Sequence, residues 1–183
     1  MHAQEQVGTR AEMQAFGKRL SALLRAGDLV LLTGDLGAGK TTLTQGIGAG
    51  LGVRGPITSP TFVIARVHPS QVGGPPLVHV DAYRLGSIAE VDDLDLDASL
   101  DEAVTVVEWG EGLVEGLSAD RLEVNLVRPH GAAGPDAGPD GDPDEPGEEP
   151  GDVPRQVQVR GVGPRWDGVE LAPAGAFTTG AGA

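Results

Sequence analysis

Apolar residues recur in two patterns along the chain. Met13, Phe16, Leu20, Leu23 and Leu24 follow three- and four-residue steps, the spacing of one helical face. Thr9 stands before them as an N-cap, Glu12 three residues on completes a capping box, and Gly27 closes the segment. The second pattern is continuous. Residues 29–33 (LVLLT) form a short unbroken apolar run, as expected of a strand buried on both faces of a parallel sheet. A Gly-rich turn follows, then a helix from about Lys40 to Leu51 that ends near Gly52. Further strands are predicted at 62–67, 77–80, 104–108, 122–127 and 157–160, with a short helical stretch around 88–100. This alternation predicts an α/β fold with a mostly parallel central sheet and flanking helices. No helix separates the later strands, so antiparallel pairing is expected at one edge.

The turn after the first strand carries chemistry. Gly34-Asp35-Leu36-Gly37-Ala38-Gly39-Lys40-Thr41 fits G-x-x-x-x-G-K-[ST] and lies between a buried strand and a helix, the context this phosphate-binding loop requires. Its glycines let several backbone N–H groups aim at one phosphate, and the helix N-terminus adds free N–H groups and a positive dipole end. Lys40 is placed to neutralise the β- and γ-phosphates, and the Thr41 hydroxyl to reach Mg²⁺. With 29 glycines in 183 residues a chance match is conceivable, but chance predicts no flanking strand and helix. The fold expected is therefore a P-loop NTPase-like sandwich. Such a loop needs a carboxylate at the end of a neighbouring strand to help hold the metal or its waters. Asp81 ends 77–80 (LVHV) and Glu108 ends 104–107 (VTVV). His79 reads as a core or hydrogen-bonding residue, and histidines 2, 68, 79 and 130 have no metal-ligand spacing. No N-K-x-D sequence is present to read guanine, which favours ATP over GTP.

Composition changes this picture in one region. Residues 129–154 hold eight of the 27 acids and no lysine or arginine, and are otherwise almost wholly Pro, Gly and Ala. Without them the net charge of −14 falls to −6, and no basic stripe suggests direct docking on nucleic acid. The stretch reads as a disordered acidic loop interrupting one domain over 1–173, with 174–183 as a flexible tail. The chain has no cysteine, which excludes disulfides and Cys-ligated metal. A polar N-terminus and the lack of an 18-residue apolar run make a cytoplasmic location the expectation.

Four segments, GDLGAGKTT (34–42), SPTF (59–62), HVDAYRL (79–85) and VEWGE (107–111), resemble in order and spacing the TsaE (YjeE) family, the ATPase of bacterial tRNA threonylcarbamoyladenosine synthesis. The resemblance covers roughly residues 7–128 and resumes near 155–163. It implies that the loop through Thr42 binds ATP/ADP, that Thr41 and Glu108 hold Mg²⁺, and that Asp81 is a second acid needed for turnover. It further implies that Ser59 and Thr61 sense the γ-phosphate and that Trp109 sits beside the site or a partner. Thr9, Arg10 and a late-strand arginine, here Arg155, are implied to approach the nucleotide. The partner implied is the TsaD–TsaB complex, which modifies adenosine 37 of tRNA, with hydrolysis resetting that complex. The acidic insertion departs from the family pattern just before Arg155. Two other readings share the P-loop: a small-molecule kinase, whose lid arginines are not grouped here, and an ATP-switched binding module with negligible hydrolysis.

Overall fold

The structure, a computed structural model, describes residues 1–60, 64–94, 96–128 and 154–174. Seven strands form one sheet in the order β1-β7-β6-β2-β5-β4-β3: β1 (His2–Val7), β2 (Leu29–Thr33), β3 (Ala65–His68), β4 (Leu77–Asp81), β5 (Val104–Glu108), β6 (Arg121–Val127) and β7 (Arg155–Val162). The four central strands β4, β5, β2 and β6 run parallel. Antiparallel strands close both edges rather than one: β3 on β4 at one side, β7 on β6 and β1 on β7 at the other. The reason is local. Eight residues, 69–76, join β3 to β4, enough for a return but not for the crossover that parallel strands need.

The strand β1 has no counterpart among the sequence expectations. His2, Gln4 and Gln6 are exposed, and only Val7 reaches the core fully. Pairing holds this polar segment in place, each residue from His2 to Val7 facing one from Arg160 to Arg155. The Met1 ammonium also donates to the Trp166 carbonyl oxygen at 2.9 Å.

Helices α1 (Arg10–Ser21) and α2 (Lys40–Leu51) pack together on one face of the sheet. The capping box forms as the sequence predicts: the Thr9 hydroxyl accepts from the Glu12 N–H, and the Glu12 carboxylate accepts from the Thr9 N–H. The helix ends before Gly27, which instead makes a left-handed turn (φ 92°) whose N–H donates to the Ala103 carbonyl. Gly52 caps α2 in the left-handed conformation, as its position predicts. Side-chain alternation then divides the core. Val30 and Leu32 join Phe16, Leu20, Leu43, Ile47 and Trp166 on the face of α1 and α2. Leu29 and Leu31 join Val78, Val80 and Val107 on the other, covered by Val91 of α3 (Ile88–Asp92) and by Leu96 and Leu100 around α4 (Asp97–Leu100). The single helical stretch expected over 88–100 is thus two short helices.

The contact of α1 with α2 is a close one. A Cβ on Gly46 would stand 2.3 Å from the Gln14 carbonyl oxygen, and one on Gly17 2.5 Å from that of Leu43. Both atoms are backbone, so neither can step aside alone. Gly46→Ala is therefore expected to destabilise the fold by about 1–3 kcal/mol through overpacking, despite alanine's better helix propensity. Urea unfolding followed by circular dichroism reads this directly.

The C-terminal segment is clamped back onto this layer. Arg165 donates from Nε and Nη2 to the two Asp28 carboxylate oxygens at 3.1 and 3.0 Å, and from Nη2 to the Leu23 carbonyl at 2.7 Å. Its guanidinium lies 4.2 Å from the centre of the Trp166 ring. Of the two tryptophans, Trp166 is the core residue, fully buried. Among the described residues no helix is long and apolar enough to cross a membrane. The acidic stretch and the tail, apart from Pro154 and Ala174, lie outside the described residues.

Candidate phosphate and metal site

The connection from β2 to α2 builds the centre. The strand β2 delivers the chain to Gly34, where a Cβ would come 2.4 Å from the Leu126 carbonyl oxygen of β6, so that only glycine turns there. Gly37 and Gly39 also have positive φ (74° and 105°), and Gly39 is the N-cap of α2. Ala38 is buried beneath the loop, Asp35 is exposed, and Leu36 is 84 % exposed at the tip. The loop therefore presents backbone N–H groups at a helix N-terminus, where an anion is favoured by free donors and by the helix dipole.

Lys40 is buried beside this loop. Its Nζ donates to the Gly34 carbonyl at 2.6 Å and to the Asp35 carbonyl at 2.9 Å, and lies 3.6 Å from the centre of the Trp109 ring. Burial strips water from the ammonium and pushes its pKa below the usual lysine value. Glu108, Asp81 and Asp35, in that order, oppose the shift by attracting the positive charge.

The two strand-end acids stand side by side, because Asp81 faces Glu108 in the parallel register of β4 and β5. Both are buried. They are nonetheless set differently. The Thr41 hydroxyl lies 3.1 and 3.2 Å from the two Glu108 oxygens, and His79 Nε2 lies 2.8 Å from Oε1. Asp81 instead accepts from the Ser59 hydroxyl at 2.8 Å and from the Tyr83 N–H at 3.0 Å. Ser59 thus meets the second acid, whereas Thr61 lies outside the described residues. The next turn is strained: Ile64 has φ 66°, and its carbonyl accepts from the Asp81 N–H at 2.8 Å.

Trp109 follows Glu108 at φ 63°, a second strained position beside the carboxylates. It is half-buried, with Lys40 on its face and the exposed Tyr83 packed edge-on at a centroid distance of 5.3 Å. Thr9 caps α1 and Arg10 is its first residue. The Thr9 hydroxyl is occupied as a helix cap, and Arg10 Nη2 donates to Gln45 Oε1 of α2 at 3.2 Å. Thr42 is half-buried in the first turn of α2. Arg155 opens β7, its Cδ and Nε 3.9 Å from the place a Cβ would take on Gly39.

One residue beside the loop escaped the sequence reading. Arg128 belongs to none of the four motif segments, but its Nη1 lies 4.0 Å from the Cβ position of Gly37. Thr33 faces Asn125 in the parallel β2–β6 pair, so continuing that register brings Arg128 level with the loop tip. Strand order, not local sequence, carries that signal.

The donors also suit a hard divalent cation. A hydroxyl and a carboxylate converge within 3.2 Å, while among the described residues no group of three or more His, Cys, Asp or Glu could hold a metal by itself. Oxygen donors of this kind suit a hard divalent cation such as Mg²⁺, which prefers oxygen ligands and is bound by few protein groups.

Known proteins resemble the chain in sequence and in fold. A model of the family described as "Threonylcarbamoyl adenosine biosynthesis protein TsaE" matches residues 7–133. A protein of Streptomyces coelicolor called tRNA threonylcarbamoyladenosine biosynthesis protein TsaE is 57% identical over 155 residues, 84% of this chain and 93% of its own. One of the same name from Bacillus subtilis is 40% identical over 64% of this chain and 72% of its own. The crystal structure of Bacillus subtilis YdiB superposes with a TM-score of 0.64 at 28% identity, covering 91% of this chain and 89% of that one. With its phosphate loop, paired strand-end carboxylates and mixed seven-stranded sheet, the chain belongs to the TsaE family.

Proposed function

We propose that the chain is a single-domain, cytoplasmic, Mg²⁺-dependent ATPase over 1–173 that hydrolyses ATP to ADP and phosphate in support of tRNA threonylcarbamoyladenosine synthesis at position 37, with the TsaD–TsaB complex as its partner. The observation that carries this reading is the Thr41 hydroxyl set against both oxygens of buried Glu108, one residue beyond a buried Lys40 at a phosphate-binding loop. In this reading the N–H groups of Asp35 to Thr42 receive the phosphates, and Lys40 leaves its carbonyl partners to bind them. Thr41 and Glu108 would hold Mg²⁺, which would supply charge neutralisation to the bound phosphates. Asp81 and Glu108 both stand where a carboxylate can orient the attacking water, and Asp81 ties that position to Ser59. Thr9, Arg10, Trp109, Arg155 and also Arg128 border the nucleotide.

Steady-state ATP hydrolysis, measured alone and with the purified partner complex, tests the proposal. Hydrolysis stimulated by the complex supports it. ATP binding with no hydrolysis in either mixture leaves the occupancy-switched module as the function.

A pH dependence follows from Lys40. In the free chain burial lowers its pKa, and a bound polyphosphate favours the charged form and raises it. Binding therefore takes up a proton between the two values. ATP affinity is expected to be full at neutral pH and to fall as pH rises through the lowered pKa towards the usual lysine value of 10.5. Calorimetric titrations across that range, in buffers of different ionisation enthalpy, measure both the loss and the proton uptake.

A further inference from the structure

His79 lies one strand repeat before Asp81, on the same face of β4, and is fully buried. Its Nε2 is 2.8 Å from Glu108 Oε1, across to the neighbouring strand, where His79 itself faces Val106. We propose that His79 is the positioning residue of the Glu108 carboxylate, holding it in the orientation in which it meets Thr41 and a divalent cation. The inference rests on the reading of Thr41 and Glu108 as the metal-binding pair.

Three observations carry it. First, an ionised carboxylate only accepts, so the contact requires a hydrogen on His79 Nε2, which fixes the ring's polarity towards Glu108. Second, Glu108 is only 3 % exposed, and a buried carboxylate is costly unless its oxygens are met by donors. Among the described residues, the Thr41 and His79 side chains meet them. Thr41 sits on the helix that begins with the phosphate loop, so its hydroxyl must answer to the cation as well. His79 sits on a central strand and has no such second duty. Third, a residue that only filled space between two parallel strands would be better served by an aliphatic side chain such as the neighbouring Leu77, Val78 or Val80. The imidazole gives a rigid ring and one directed N–H, the means by which outer residues orient the ligands of a metal.

The test uses Mn²⁺ as the probe, counted by electron paramagnetic resonance in the ADP-bound full chain. ADP affinity in EDTA is measured in parallel. His79→Ala is expected to weaken Mn²⁺ binding about 10- to 100-fold, with ADP affinity in EDTA changed less than about twofold, within ordinary context effects. His79→Gln, whose amide N–H reaches towards the position of Nε2, recovers most of the loss. In a Glu108→Ala background His79→Ala adds nothing further, because its effect runs through the missing carboxylate.

Unchanged Mn²⁺ binding in His79→Ala overturns the proposal. So does an equal loss of ADP affinity in EDTA, which marks a residue that only supports the fold. Should His79→Ala not fold, His79→Gln against His79→Asn decides, since asparagine is too short to reach Glu108. Equal Mn²⁺ affinities in those two overturn the idea. Failure of the parent reading looks different: the unsubstituted chain itself would then take up no Mn²⁺ with ADP.

Discussion

Replacing Lys40 with alanine is expected to lower ATP turnover by roughly 100- to 1,000-fold, the scale found when a single preorganised electrostatic contact is lost. The local charge explains why so much depends on one side chain. Asp35, Asp81 and Glu108 all act on the Lys40 ammonium, and two of the three are buried. Without the ammonium, a polyphosphate would enter a pocket of uncompensated carboxylates, in surroundings where water screens little. The loss therefore appears in binding as well as in turnover. Lys40→Arg is not expected to rescue it, because a planar guanidinium cannot occupy the space of a compact ammonium between two carbonyls and the Trp109 ring. Phosphate release and ATP titration on the same preparations measure both losses. An alanine variant that hydrolyses ATP at the parent rate would remove Lys40 from the mechanism. The substitution should also alter Trp109 emission, since the cation on its ring is gone, while Trp166 stays enclosed beneath Arg165.

How far the sequence foretold this centre depends on where each piece of information resides. The phosphate loop, α2 and the acids ending β4 and β5 were legible because local patterns specify them: an apolar run, a glycine turn, a helical face, and an acid after four mostly apolar residues. The box of Thr9 and Glu12 was legible for the same reason. The strand β1 was not, because its sequence HAQEQV is polar and becomes a strand only by pairing with β7 at the far end of the described chain. The second antiparallel edge was hidden likewise. His79 lay between the two cases. Its spacing from Asp81 showed that both side chains share one face, but its meeting with Glu108 depends on β4 and β5 being neighbours. Arg128 needed the full strand order before it could be set beside Gly37. Family resemblance alone set Trp109 beside the site or a partner. Trp166 turned out to be the buried one.

The two carboxylates should separate under substitution, because their partners differ. Glu108→Gln is expected to lower hydrolysis by roughly 100- to 1,000-fold and to abolish most of the gain in nucleotide affinity that Mg²⁺ gives. The amide keeps the volume and can still accept from Thr41, but it offers the metal a weaker ligand and no charge. Binding of ATP without metal should hold or improve, since one of the negative charges around Lys40 is gone. Asp81→Asn should behave otherwise. Its carboxylate accepts from the Ser59 hydroxyl and the Tyr83 N–H. An asparagine can turn its oxygen to the Tyr83 N–H and its NH₂ to Ser59, whose hydroxyl can accept as readily as donate. The local fold therefore survives, and with Thr41 and Glu108 untouched, metal affinity should stay within a few-fold of the parent. What is lost is the negative charge beside the γ-phosphate position and the coupling of Ser59 to it, so turnover falls while Mg²⁺ and nucleotide still bind. Mg²⁺ titrations of ATP binding beside single-turnover hydrolysis distinguish the two variants. If Asp81→Asn weakens metal as much as Glu108→Gln, both acids hold the cation jointly and their adjacent register is itself the metal site. If it leaves hydrolysis intact, the part of Asp81 is structural, at Ser59 and Tyr83, and the reaction relies on Glu108.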